Sequence, residues 1–174
     1  TKPRIVFWCT GAPEPWYPGS INEGGIGGSE TACIEIAKRF HRDGWRADVF
    51  NTAGRYEGVH GGVGYWDYER VQWGDRPDIF VSWRQPGVRM SEARRSLLWC
   101  HDLNYGPSAA EHMTHWHKVL GVSAWHAAML RQYYDLPAER AGYVPNGIDL
   151  ARFHDYEKVP WQCVYASSPD RGLL

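Results

Sequence analysis

The sequence predicts an α/β fold, a mostly parallel sheet with helices on both faces. Three observations carry that prediction. Short unbroken apolar runs, such as Ile5-Val6-Phe7-Trp8 and Ile79-Phe80-Val81, read as strands buried on both sides, as parallel strands are. Segments of helical period alternate with such runs. A glycine-rich stretch, Gly24-Gly25-Ile26-Gly27-Gly28, leads directly into one of those helices.

Taken in order, residues 4–9 form the first strand. A long loop over 10–28 follows, stiffened by Pro13, Pro15 and Pro18. A helix is expected over 29–43, with Ser29 as its N-cap and Glu30 in the first turn, where the helix dipole favours a carboxylate. Ala32, Ile36, Ala37 and Phe40 recur on its apolar face, and Gly44 supplies the stop. A strand follows at 47–50. Residues 51–64 carry glycines without a period and read as loop. A strand over 65–71 would put Tyr65, Asp67 and Glu69 on one face and Trp66, Tyr68 and Arg70 on the other. Buried strands are expected at 78–83, 96–100 and 118–122. A helix over 123–134 would carry Trp125, Met129, Leu130 and Tyr133 on one side, and a short strand at 141–144 closes the series. Residues 1–144 thus read as one domain. Residues 145–160, rich in turn formers and charges, read as an interdomain linker. Residues 161–174 read as the first strand and loop of a second domain that breaks off, so the chain is expected to be a fragment.

Composition bounds the function. The 174 residues suffice for one α/β domain and little more, and 43% hydrophobic with 22% charged residues is ordinary for a globular protein. A net charge of −1 gives no global electrostatic case for nucleic acid. No apolar run is long enough to span a bilayer, and the N-terminus reads as a strand rather than a signal peptide. Cys9, Cys33, Cys100 and Cys163 lack paired spacing and suit buried thiols in a reducing compartment, so a cytoplasmic location is expected. Ten tryptophans are many for this length; aromatic surfaces hold sugars, although most Trp serves core packing.

In an open parallel sheet, ligands bind at the carboxyl ends of the strands. The residues that follow each expected strand are the glycine loop, then Trp83-Arg84-Gln85, then His101-Asp102, then Ser123, and finally Asn146-Gly147. A glycine loop ahead of a helix N-terminus points unpaired N–H groups outward and so suits a phosphate. A dinucleotide-binding fingerprint fails on detail: Gly25 and Gly27 match, but Glu30 holds the third glycine position, and the loop lies far beyond the strand.

The stretch Gly24-Gly25-Ile26-Gly27-Gly28-Ser29-Glu30 resembles the glycine loop of GT-B fold glycosyltransferases, family 4 in particular. Val122-Ser123-Ala124-Trp125-His126 and Val144-Pro145-Asn146-Gly147-Ile148-Asp149 resemble two further signatures of that family. Tyr165-Ala166-Ser167-Ser168-Pro169-Asp170-Arg171-Gly172-Leu173 resembles the start of its nucleotide-sugar-binding domain. The four stretches fall in the family's order. The resemblance implies that 1–144 is the Rossmann-like, acceptor-side domain. It also implies transfer of a sugar from a nucleotide-diphosphate-sugar donor to a glycan, lipid or other acceptor, with retention of configuration and without a metal or cofactor.

Carried over by position, the resemblance implies that Gly25, Gly27 and Gly28 approach the donor phosphates and sugar. It gives His101 the catalytic position beside the donor sugar, and Arg171 neutralisation of the leaving diphosphate. Ser167 and Ser168 stand where many relatives carry a second basic residue. Trp83, Arg84 and Gln85 are acceptor-side candidates, Trp83 for stacking on a sugar face and Arg84 for a hydroxyl or anionic group. Asp102, Ser123, Asn146 and Gly147 line the rest of the cleft edge. With most nucleotide contacts missing, the 174-residue chain alone is expected to be inactive.

Other features weigh less. His112, His115 and His117 lack a second ligand cluster, so no metal site is expected. Arg84, Arg89, Arg94 and Arg95 leave room for peripheral contact with an anionic membrane, though a solvated face is the commoner meaning of such a run. Two other readings stay open: a non-catalytic glycan- or phosphate-binding module of the same fold, and a GT-B-shaped nucleotide-sugar epimerase. The donor, the sugar, the acceptor and the oligomeric state are not readable from the sequence.

Overall fold

Eight strands line up in the order β3-β4-β2-β1-β5-β6-β7-β8. They are β1 (Arg4–Cys9), β2 (Arg46–Asn51), β3 (Gly58–His60), β4 (Val63–Asp67), β5 (Ile79–Trp83), β6 (Arg95–Trp99), β7 (Lys118–Gly121) and β8 (Ala141–Tyr143). The helices are α1 (Ser20–Glu23), α2 (Gly28–Arg42), α3 (Ala109–Met113) and α4 (Ala124–Tyr133). This computed structural model describes residues 2–12, 14–23, 25–152, 154–155 and 157–164. Every strand pair is parallel except the edge hairpin β3–β4, so the expected α/β, Rossmann-like architecture holds. β1 is flanked by β2 on one side and β5 on the other, which makes β1/β5 the point where the winding reverses.

Alternation along β1 divides the core in two. Ile5, Phe7 and Cys9 face the layer containing Cys33, Ile34 and Ala37 of α2. Val6 and Trp8 face the layer containing Met113 of α3 and Leu130 of α4. Helices therefore cover both faces, though thinly. Val71, Met90 and Ala93, all from connecting loops, fill much of the second layer. The amino-terminal edge of the sheet is closed by ion pairs: Arg4 donates to Asp48 at 2.9 Å and to Asp75 at 2.7 Å, and its backbone N–H reaches Asp78 at 2.9 Å.

Several local expectations are corrected. Residues 51–64 are not plain loop; they contain a 3-10 turn at Gly54–Tyr56 and the hairpin strand β3, with β4 starting at Val63. The strand expected over 65–71 ends at Asp67, whose side chain caps the next 3-10 turn by accepting from Glu69 N–H at 3.2 Å. On α4 the buried residues are His126, Ala127 and Leu130, while Trp125 and Tyr133 are exposed. Helix α2 starts at Gly28 with Gly27 as an N-cap that has no side-chain cap, so Ser29 does not serve in that role; Gly44, at φ +90°, does end the helix. Residues 161–164 pair with no strand, and 165–174, with Arg171 and the rest of the expected second-domain strand, lie outside the described residues. Among the described residues no helix is long and apolar enough to cross a membrane.

Candidate functional site

A parallel sheet sends all its carboxyl ends to one edge, and the residues expected there do gather on it. Arg84 and Gln85 follow β5, His101 and Asp102 follow β6, and Ser123 follows β7. Gln85 Nε2 donates to Thr10 Oγ1 at 2.5 Å, which bridges the ends of β1 and β5 at the reversal point. Ser82 Oγ donates to the Gln85 carbonyl at 2.8 Å and steadies the same turn.

The ends of β5 and β6 are tied by charge. Arg84 donates to Asp102 through Nε at 2.6 Å and Nη2 at 2.7 Å, a two-point pairing of planar groups. Arg84 holds φ +64°, a conformation that side chains rarely adopt, and its backbone N–H donates to the Trp99 carbonyl at 3.0 Å. Its guanidinium also lies 5.0 Å from the Trp83 ring centroid. The 101–102 backbone is fixed from behind. Tyr105 Oη accepts from the N–H groups of His101 and Asp102 at 3.0 and 3.1 Å. Tyr134 Oη accepts from Tyr105 N–H at 2.8 Å. His126 accepts from Val122 N–H at Nδ1, so its Nε2–H donates to the Asp102 carbonyl at 3.0 Å. Ser123 caps α4 by accepting from His126 N–H at 3.1 Å.

His101 stands against Trp99 at 4.6 Å and Trp83 at 6.0 Å between ring centroids, both edge-on. Burial, with the nearby Arg84 charge second, pushes its pKa down to about 4, so the imidazole is neutral near pH 7. Its Nε2 is buried and has no hydrogen-bond partner.

The other buried side-chain polar atoms without partners among the described residues are Trp8 Nε1, Trp16 Nε1, Asn51 Oδ1, Tyr65 Oη, Trp83 Nε1 and Trp99 Nε1. Asn51, Trp83 and Trp99 are the last residues of their strands and Trp8 the last but one. These strand-end residues lie on both faces of the sheet, Trp8 in one core layer and Trp83 and Trp99 in the other.

Two clefts flank the glycine loop. One, of about 760 Å³, is lined by Gly28, Thr31, Ile36, Trp99, Asn146 and Gly147 among others. The second, of about 780 Å³, is lined by Trp16, Gly25, Gly27, Glu30, Arg55 and Tyr56 among others. The Glu30 carboxylate folds back against Gly27, in the space a Cβ there would need.

Gly25, Gly27, Gly28, Asn146 and Gly147 thus border clefts, while Arg84, Gln85, His101 and Asp102 meet at the strand ends. Trp83 does not fit its expected role: at 1% exposure its ring is core packing and offers no face to a sugar. Among the neighbouring histidines, His117 is structural, its Nδ1 contacting Ser96 N–H and Oγ at 3.0 Å. Sequence reasoning overlooks Tyr105, Tyr134 and Trp99. A tyrosine hydroxyl that serves backbone donors leaves no spacing signature. No protein-family model and no curated protein matches the chain. The fold is that of an α/β, Rossmann-like protein, with polar and aromatic residues gathered at the carboxyl ends of its strands.

Proposed function

We propose that the chain is the acceptor-side domain of a GT-B-type glycosyltransferase that takes a sugar from a nucleotide-diphosphate-sugar donor. The observation that carries this reading is the neutral His101 imidazole at the end of β6, whose buried Nε2 has no partner and whose ring packs edge-on against Trp99, which lines the first cleft together with Gly28 and Asn146-Gly147. Buried and uncharged, it suits a hydrogen bond to a sugar hydroxyl while charge develops at the anomeric carbon. The Arg84–Asp102 pair and the Tyr105 hydroxyl hold the His101 backbone in place, so these are positioning residues. In the reaction the bond from the anomeric carbon to the diphosphate oxygen breaks and a bond to the acceptor oxygen forms. The acceptor proton leaves with the diphosphate.

The position of Glu30 favours a second reading, a glycan-binding module without catalysis. A carboxylate already set against Gly27 at the α2 N-terminus opposes a phosphate placed there. The test is saturation-transfer NMR on the chain with a panel of uridine-, adenosine- and guanosine-diphosphate sugars. Transfer to sugar protons that His101→Ala abolishes supports the transferase reading. Saturation of free glycans but of no sugar nucleotide supports the binding module instead.

A further inference from the structure

We propose that Asn146-Gly147 is a site of self-modification, at which the chain converts Asn146 to aspartate and isoaspartate without an enzyme. Asparagine is among the chemically labile residues. The backbone nitrogen of residue 147 loses its proton to hydroxide and attacks Cγ of Asn146. The Cγ–Nδ2 bond breaks, and the amide nitrogen takes a proton from water and leaves as ammonia, which restores the hydroxide. A cyclic imide remains, and water opens it. Addition at Cγ gives aspartate on an ordinary backbone. Addition at the main-chain carbonyl carbon gives isoaspartate, with the backbone rerouted through the side chain. Nothing is oxidised or reduced. The demand on the structure is geometric: the nitrogen and Cγ must be able to meet.

The fold leaves that meeting open at Asn146. Residues 144–149 belong to no helix or strand, and both Asn146 and Gly147 are exposed. Among the described residues nothing hydrogen-bonds the Asn146 side chain or the Gly147 N–H. A Cβ at Gly147 would meet nothing within 4 Å, and its absence clears the approach to the nitrogen. The chain's other asparagines are held. Next to Asn22, the Glu23 N–H donates to the Gly19 carbonyl at 3.2 Å. Asn51 is fully buried, and its Nδ2 donates to the Trp16 carbonyl at 2.8 Å. At Asn104 both reacting groups are engaged: Oδ1 accepts from Gly106 N–H at 2.7 Å, and Tyr105 N–H donates to Tyr134 Oη at 2.8 Å. Asp43-Gly44 could form the same imide, but its Gly44 N–H donates to the His41 carbonyl at 3.0 Å.

The modification falls on a cleft wall. Asn146 and Gly147 line the 760 Å³ cleft with Glu35, Arg39 and Asp149, and Arg39 already meets Glu35 at 3.4 Å. Conversion leaves the described wall with Glu35, Asp149 and residue 146 acidic against Arg39, which disfavours an anion. That ageing weakens sugar-nucleotide binding rests on the transferase reading; that Asn146 ages does not.

The test is ageing of the folded chain in heavy-oxygen water, at mildly alkaline pH and physiological temperature, followed by tryptic peptide mapping. Peptide 141–152, which carries Asn146, should lose its amide, take up one oxygen from the water and resolve into two products. Its rate in the folded chain should fall within roughly tenfold of that of the same peptide free in solution. The peptides carrying Asn22, Asn51 and Asn104 should stay intact. Gly147→Ala fits the open space at that position and should slow the reaction roughly tenfold, with circular dichroism as the check on folding. Three results overturn the proposal: an intact Asn146 in the folded chain, conversion of another asparagine at the same rate, or an unchanged rate in Gly147→Ala. Fresh and aged chains are then titrated with the sugar nucleotides. Weaker binding after ageing, with no such change in Gly147→Ala treated alike, is the expected consequence, and equal binding overturns it. Conversion in a chain that binds no sugar nucleotide, fresh or aged, keeps the modification and removes the transferase. An intact Asn146 in a chain that binds one removes the modification and leaves the transferase standing.

Discussion

The guanidinium of Arg84 grips both carboxylate oxygens of Asp102, at 2.6 and 2.7 Å, across the adjacent ends of β5 and β6. The side chains are 36% and 42% exposed, so water screens the pair and its contribution to stability is modest, about 1 kcal/mol. A double-mutant cycle with Arg84→Met and Asp102→Asn should return a coupling of that size in urea unfolding. A coupling near zero would mean that the pair is ornamental in solution.

Arg84 also sits in the left-handed region, at φ +64°. Glycine enters that region without the Cβ penalty, which for other residues is about 1 kcal/mol. Arg84→Gly is therefore expected to be more stable than Arg84→Ala by about that amount, although both lose the ion pair. Equal stabilities would show that the backbone relaxes when the arginine is removed.

His101 titrates near pH 4 in the folded chain, against an ordinary value near 6.5. Between those values the unfolded chain binds more protons, so stability is intact above about pH 6.5 and falls as pH drops towards 4. Imidazole carbon shifts followed against pH should place this histidine well below 6.5, and His101→Phe should flatten that part of the acid limb. A midpoint near 6.5 would contradict the desolvated environment.

Tyr105→Phe removes the oxygen that accepts two backbone N–H groups, those of His101 and Asp102. Leaving them unpaired should cost about 1–3 kcal/mol in urea denaturation. The accompanying change at the site is a shift of the His101 imidazole signals, which a purely structural tyrosine would not produce.

Two glycines should respond differently to alanine. At Gly121 a new Cβ would lie 2.8 Å from the Ala127 backbone nitrogen and 3.1 Å from the His126 carbonyl carbon. Helix α4 must then shift, at a cost of about 1–3 kcal/mol. At Gly27 the obstacle is the tip of the Glu30 side chain, which can swing away. Gly27→Ala should keep the melting temperature nearly unchanged while freeing the Glu30 carboxylate from the loop. A large loss of stability at Gly27 would mean that Glu30 is locked in place.

Much of this architecture is legible in the sequence, for physical reasons. Parallel strands buried on both faces must be apolar throughout, so Ile5–Trp8 and Ile79–Val81 announce themselves, and with them the edge where His101 and Asp102 fall. The β3–β4 hairpin is hidden because Gly58, Gly61, Gly62 and Gly64 erase its alternation. Gly64 is itself forced, since a Cβ there would collide with the Asp48 carboxylate and the Trp66 ring. The buried face of α4 is misjudged in part because His126, a polar residue, turns inward with Ala127 and Leu130 and holds Val122 and Asp102, while Trp125 faces solvent. Trp83 shows the converse. An aromatic at a strand end fits a sugar platform as well as a core, and only packing decides between them.

The most direct test of the strand-end crevice as a sugar-nucleotide site follows the indole N–H signals of Trp83 and Trp99 and the His101 imidazole by NMR. The signals are assigned through single Trp→Phe variants, and a sugar nucleotide identified by saturation transfer is then titrated in. Binding at the crevice predicts that these three groups shift together and saturably while the exposed Trp125 stays still. Silent Trp83, Trp99 and His101 signals, with shifts confined to Trp125 or other exposed residues, would contradict it.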